Sequence, residues 1–321
     1  MGKERLAEFD YIRVVSLVGI LVCHSLLDYW TSYEWLGRLF GMTFNFLFLI
    51  LSAFLFGMSW EAKGYPVENG DFLKKRMYKL SRSYYPYLAL LFLLLYLSEG
   101  FFSIRKIASH ALYLPWFDKI EGYGHLWFMT MIMLCYVGCL VVTRESFRNL
   151  SVRVWLIMIV ASIPLDYVVS IKGLPGYIFP YLIGYLFVLR YSRKILELVR
   201  RIGTVANIVQ FISVVTLNYI VFSCYKLDPY SFMSYFMGIL QAISVFCFMY
   251  NMLRNASGSR IVVFISGISF EVYLVHEFFL GHHSVYRYFN EPVLSVIMFV
   301  ALSVLTGYLL HLISNALARR C

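Results

Sequence analysis

Charge is what this sequence has least of. Only 14% of its 321 residues are Asp, Glu, Lys or Arg, against about a quarter in an ordinary soluble domain. Together with 60% hydrophobic residues and a mean hydropathy of +0.71, that scarcity excludes a water-soluble globule. A soluble core is filled by far fewer apolar residues, so the excess must face lipid. The six cysteines, Cys23, Cys135, Cys139, Cys224, Cys247 and Cys321, fall mostly inside apolar runs and lack metal-ligand or redox spacing. Cys135 and Cys139, one helical turn apart, read as packing residues. No cleavable signal peptide is evident, because the first apolar run follows Met1-Gly2-Lys3-Glu4-Arg5 and is long enough to span. Internal repeats, low-complexity stretches and coiled-coil heptads are likewise missing.

Each membrane span needs about 20 residues, which leaves room for about ten spans with short connections. Apolar runs between charged or Pro/Gly-containing breaks predict ten helices, over 9–29, 39–58, 83–99, 125–143, 154–171, 176–190, 204–224, 231–250, 261–281 and 292–314. The run 176–190 is short and contains Pro180. The expected fold is an all-α polytopic membrane helix bundle, organised as a single membrane domain over 1–321 with no appended soluble domain.

The formal net charge of +10 would suit nucleic acid, but the placement of the basic residues argues against such a partner, because they follow the loops. Of the 28 Lys and Arg residues, 20 fall on one side of the predicted spans and 7 on the other, with Arg13 inside the first span. Basic residues near span ends are retained in the cytoplasm, so both termini are expected to be cytoplasmic. Two connections are long. The cytoplasmic one, Ser59 to Arg82, holds Lys63, Lys74, Lys75, Arg76, Lys79 and Arg82. The outward one, Gly100 to Gly124, mixes Phe, Leu and Trp116 with a few charges and reads as a helix lying along the outer interface.

An ionisable side chain inside a span costs several kcal/mol by most scales and is a functional candidate by default. The first span carries four: Asp10, Arg13, His24 and Asp28. Arg13 and His24 are 11 residues apart, which at about 100° per residue returns them to within about 20° on one face, about 16 Å apart along the axis. Asp10 lies three residues before Arg13, and Asp28 four after His24, so each is a same-face partner. A carboxylate on one imidazole nitrogen would make the other a better base. A simple interfacial ion pair and an interhelical hydrogen bond are the alternatives, but four groups on one span, two of them aligned, favour the functional reading.

The ninth span adds Ser269, Glu271, Tyr273, His276 and Glu277, followed by His282 and His283. Tyr273 and His276 roughly share a face. No HExxH or comparable ligand spacing is present, and no metal is expected. In the basic connection, Arg76, Lys79 and Arg82 recur every three residues. Such a ridge suits the phosphates of a nucleotide-containing donor, and it suits equally well topology marking with attraction to anionic lipid head groups.

These segments resemble, in order, the acyltransferase family 3 membrane proteins. Phe9-Asp10-Tyr11-Ile12-Arg13 with Cys23-His24-Ser25 resembles the family's opening, an Arg, ten residues and a His. Phe48-Leu49-Ile50-Leu51-Ser52-Ala53-Phe54-Leu55 looks like its second span, and Arg76-Met77-Tyr78-Lys79 with Arg82 and Pro86 like its basic lead into the third. His125-Leu126-Trp127-Phe128 and Ser269-Phe270-Glu271-Val272-Tyr273-Leu274-Val275-His276 look like two further landmarks. The sequence departs from the pattern where Ala53 replaces the usual Gly, Lys79 stands where a second Arg is frequent and Glu271 occupies a site where a small residue is common. Lys79 keeps the charge but loses the planar fork, so the second phosphate contact falls to either Lys79 or Arg82.

What the resemblance implies is O-acylation, usually acetylation, of a carbohydrate or lipid-linked glycan, with acetyl-CoA as the cytoplasmic acyl donor and a bacterial cytoplasmic membrane as the setting. Arg76, Lys79 and Arg82 would bind the CoA phosphates, and Arg13, paired with Asp10, would guide the donor or stabilise charge. His24 would act as general base or as covalent acyl carrier. Trp127, Tyr273 and His276 would shape the acceptor side. Two rivals are a transporter or flippase for a lipid-linked saccharide and a sensing or assembly module without chemistry.

Overall fold

Where apolar residues run on without breaks, a backbone in lipid satisfies its own polar groups as helix, and every long element of this chain is helical. The computed structural model describes residues 6–62, 69–100, 103–142, 149–171, 178–224, 232–280, 284–285, 288 and 291–319. Among the described residues there are eleven α-helices and no strand: α1 Ala7–Tyr29, α2 Glu34–Glu61, α3 Asn69–Glu99, α4 Ile104–Ala111, α5 Trp127–Val142, α6 Val152–Ile171, α7 Ile178–Ile202, α8 Thr204–Tyr219, α9 Phe232–Leu253, α10 Arg260–Val275 and α11 Pro292–Ala318. Among the described residues, seven stretches are long and apolar enough to cross a membrane: Ala7–Tyr29, Glu34–Glu61, Leu73–Ser98, Thr204–Cys224, Phe236–Leu253, Arg260–Phe279 and Pro292–Ala318. Large apolar side chains such as Ile157, Val160, Val205, Ile261 and Val293 are exposed, as lipid-facing positions of a membrane bundle are. The fold is an all-α polytopic membrane bundle.

The chain divides into two compact units, Met1–Pro66 with Arg144–Gly267, and Val67–Thr143 with Ile268–Cys321. In the first unit α2 is central. Its Leu47, Leu49, Leu51 and Ala53 are fully enclosed, and Phe54 stacks on Phe246 of α9 at 4.6 Å, with Phe9 of α1 edge-on at 6.0 Å. A Cβ added to Gly57 would lie 2.2 Å from the Leu189 carbonyl of α7, so only glycine admits that approach. Polar ties recur between helices: Tyr181 donates to the Met42 carbonyl at 3.1 Å, Asn218 to Gln241 at 2.9 Å and Asn251 to the Val199 carbonyl at 2.9 Å. Helix α7 is kinked at Tyr191, and Gly203, at φ +81°, supplies the left-handed turn into α8 that a side chain would resist.

The second unit is built from α3, α4, α5, the second half of α10 and α11. Pro292 opens α11 at the position where its missing N–H costs nothing, and Gly307 of α11 admits the α10 backbone at Val272, 2.8 Å from where a Cβ would sit.

Two boundaries differ from expectation for a common reason. Helix α3 starts at Asn69 instead of 83, and α7 runs to Ile202 instead of 190. Hydropathy stops at the first charges, whereas a helix that leaves the lipid continues through Lys and Arg, which are good helix formers. The ridge Arg76, Lys79, Arg82 therefore lies on a helix and not in a loop. The helix expected between Gly100 and Gly124 is α4, and it is tied to α3: Tyr84 and Tyr85 donate to the His110 and Ala111 carbonyls at 3.1 and 3.0 Å, and the Ser81 and Tyr113 hydroxyls meet at 2.6 Å.

Candidate functional site

In the first unit the candidates sit on α1. Glu8 and Asp10 occupy its first turn, where carboxylates complement the helix dipole. Asp10 is buried, at 5% exposure, and its Oδ1 accepts a 2.6 Å hydrogen bond from the Ser266 hydroxyl of α10. Arg13, half-buried, donates from Nη1 to the same hydroxyl oxygen at 3.2 Å. The expected association of Asp10 and Arg13 is present, and a serine more than 250 residues away in sequence bridges it. His24 lies further along α1, half-buried between Cys23 and Ser25, which are buried; Asp28 is exposed. The rise of a straight helix puts His24 about 16 Å from Arg13.

In the second unit α3 carries the basic ridge, with Lys79 exposed and Arg76 and Arg82 half-buried. The Arg82 Nε atom is enclosed and has no hydrogen-bond partner among the described residues.

A second cluster joins the start of α5 to the end of α10. Tyr273 donates its hydroxyl to the His125 carbonyl at 2.6 Å. The buried His276 has Nδ1 at 2.6 Å from the Tyr273 carbonyl; a carbonyl only accepts, so Nδ1 carries a proton. His125 is anchored three ways: its backbone N–H donates to the Glu277 carboxylate at 3.2 Å, its Nε2 donates to the Leu274 carbonyl at 3.0 Å, and its Nδ1 lies 2.8 Å from Glu277 Oε2. The His125 and His276 rings are edge-on at 4.8 Å. Trp127, half-buried, packs edge-on against Trp116 at 4.8 Å. Tyr273 and His276 thus belong together with His125 and Glu277, while Trp127 stands beside them on the following helical turn. His282 and His283 lie outside the described residues, as does Lys63 of the basic connection.

For three functional-looking groups the sequence does not supply the partners. Ser266 is one hydroxyl in an apolar helix. His125 was visible within its Leu-Trp-Phe motif, but its pairing with Glu277 depends on folding. Glu271 stood out as a departure from the family, yet its partners, Ser83 and His311, could not be read from spacing.

Arginine and lysine on one ridge have the chemistry to bind phosphate, a half-buried imidazole has the chemistry to move protons, and a carboxylate bridged to a guanidinium holds paired charges in an apolar helix. No curated protein and no solved structure matches the chain. The family described as an acyltransferase domain matches residues 6–312, and on that match, which runs over nearly its whole length, the chain belongs to acyltransferase family 3.

Proposed function

We propose that this membrane acyltransferase moves an acetyl group from cytoplasmic acetyl-CoA to a hydroxyl of a carbohydrate or lipid-linked glycan at the outer side of a bacterial cytoplasmic membrane, with both of its termini in the cytoplasm. The observation that carries the reading is the arrangement on α1. The paired charges Asp10 and Arg13 are held through Ser266, and a half-buried histidine, His24, lies 11 residues further along the same helix, returning to the same face.

In this reading Arg76, Lys79 and Arg82 hold the CoA phosphates, and Arg13 guides the donor or meets developing charge. His24 takes the proton of the acceptor hydroxyl as the oxygen attacks the acyl carbon. The carbon–sulfur bond breaks, and the CoA thiolate departs and takes up a proton, so the balance is alcohol plus thioester to ester plus thiol. The alternative, with His24 itself carrying the acyl group, uses the same residues. Trp127, Tyr273 and His276 serve the acceptor side.

The test is His24→Ala in membranes that incorporate labelled acetate into surface glycan. Labelling should fall by at least about a hundredfold at normal protein level. Undiminished labelling would sink the assignment, and glycan export that proceeds without any acetyl-CoA-dependent modification would favour the transporter reading.

A further inference from the structure

A carboxylate enclosed in a membrane helix calls for a purpose, and Glu271 of α10, at 4% exposure, has none in the chemistry above. Its Oε1 accepts the Ser83 hydroxyl of α3 at 2.8 Å and lies 3.1 Å from His311 Nδ1 of α11. The Asn315 side-chain amide nitrogen, which only donates, lies 2.8 Å from His311 Nε2. Nε2 is therefore the acceptor and Nδ1 carries the proton toward Glu271. The relay runs in one sense, Asn315 to His311 to Glu271, with Ser83 donating into the same oxygen from the other side.

The turn that this relay grips is the one where α3 lacks a helical hydrogen bond. Pro86 lies inside α3 and has no N–H, so the carbonyl of Arg82, four residues earlier, loses its helical partner. Side chains on the residues flanking Arg82 tie this turn to its neighbours: Ser81 meets Tyr113 at 2.6 Å, Ser83 meets Glu271 at 2.8 Å, and Tyr84 and Tyr85 donate to the His110 and Ala111 carbonyls. Arg82 sits within this collar with Nε enclosed and without a hydrogen-bond partner among the described residues.

We infer that Glu271, acting through Ser83, is a positioning residue that fixes the Arg82 guanidinium for the phosphates of the acyl donor. This rests on the reading of Arg82 as a donor contact. Pre-ordering one arginine removes the entropy of fixing its long side chain at the moment of binding.

The experiment is equilibrium binding of labelled acetyl-CoA to the full chain in lipid nanodiscs. Ser83→Ala should weaken binding about tenfold, the scale of one charge-assisted hydrogen bond. Ser83→Thr, which keeps the hydroxyl, should restore it. Glu271→Gln keeps an acceptor oxygen without its charge and should lose about threefold. This variant decides the matter where Ser83→Ala does not fold. Both losses should vanish in an Arg82→Gln background, the non-additivity expected of residues acting through one another. Wild-type affinity in Ser83→Ala and Glu271→Gln, or equal losses with and without Arg82, would overturn the positioning role while leaving the donor reading intact. A wild-type protein that fails to bind acetyl-CoA would instead overturn the donor reading, and this inference with it.

Discussion

The Ser266 hydroxyl of α10 donates to Asp10 of α1 across 2.6 Å and receives Arg13 on the same oxygen at 3.2 Å. One hydroxyl thereby bridges an acid and a base within one turn of an apolar helix, and ties α1 to α10. Isolated, either charge would be costly at this depth; joined through a polarised hydroxyl, they form a neutral unit.

Removing that hydroxyl tests its structural worth. Ser266→Ala removes one hydrogen bond to the buried carboxylate and one from the guanidinium, so stability should fall by about 1–3 kcal/mol, seen as a lower thermal unfolding midpoint in detergent. Ser266→Thr, with the hydroxyl retained, should stay closer to wild type.

Gly57 makes a sharper packing test. A Cβ there would sit 2.2 Å from the Leu189 carbonyl and 2.6 Å from Ser192 Oγ, and a backbone oxygen inside a helix cannot step aside. Gly57→Ala should destabilise by about 1–3 kcal/mol through overpacking and lower the yield of monodisperse protein. Gly267→Ala has nothing within 4 Å of the new methyl and should instead gain about 0.5–1 kcal/mol from helix propensity. The same unfolding measurement reads both.

On the basic ridge, the expected order of effect follows enclosure and shape. Arg82→Gln should weaken acetyl-CoA binding most, because its guanidinium is planar and its Nε is enclosed, and the exposed Lys79→Gln least. Titration of the three single variants with labelled acetyl-CoA checks the order. An unchanged affinity in all three would reduce the ridge to a topology marker.

His110 should impart a pH dependence to stability. Burial holds its imidazole below the ordinary value of 6.5, against the opposing hydrogen bond to the Lys106 carbonyl. Below 6.5 the unfolded chain takes up a proton that the folded chain refuses. The stabilisation is therefore complete above 6.5 and is lost as pH falls toward the depressed folded value. Unfolding midpoints followed from about pH 7.5 to 5 should decline more steeply in wild type than in His110→Gln.

How far the sequence reached can be seen in particular helices. The sequence places helix α1 within two residues at its start and matches its end, because its apolar run is long and the helix barely extends past it. Helix α3 began fourteen residues earlier than its apolar run, because lipid demands hydrophobicity while a helix demands only suitable dihedrals and hydrogen bonds. The shared turn of Asp10 and Arg13 followed from a spacing of three, and spacing is what periodicity reports.

By itself, then, the sequence determined that this is a helical membrane protein and which charges sit within its apolar segments; its ordered motifs pointed to the family that the match over residues 6–312 establishes. Tertiary structure alone decided which partners those charges have: Ser266 for Asp10 and Arg13, Glu277 for His125, and Ser83 and His311 for Glu271. The reason is physical. Hydropathy and helical period are local properties, written every few residues, whereas the partner of a buried polar group is chosen by which helix packs against it, and a lone serine or histidine in an apolar run looks the same whichever neighbour it will meet.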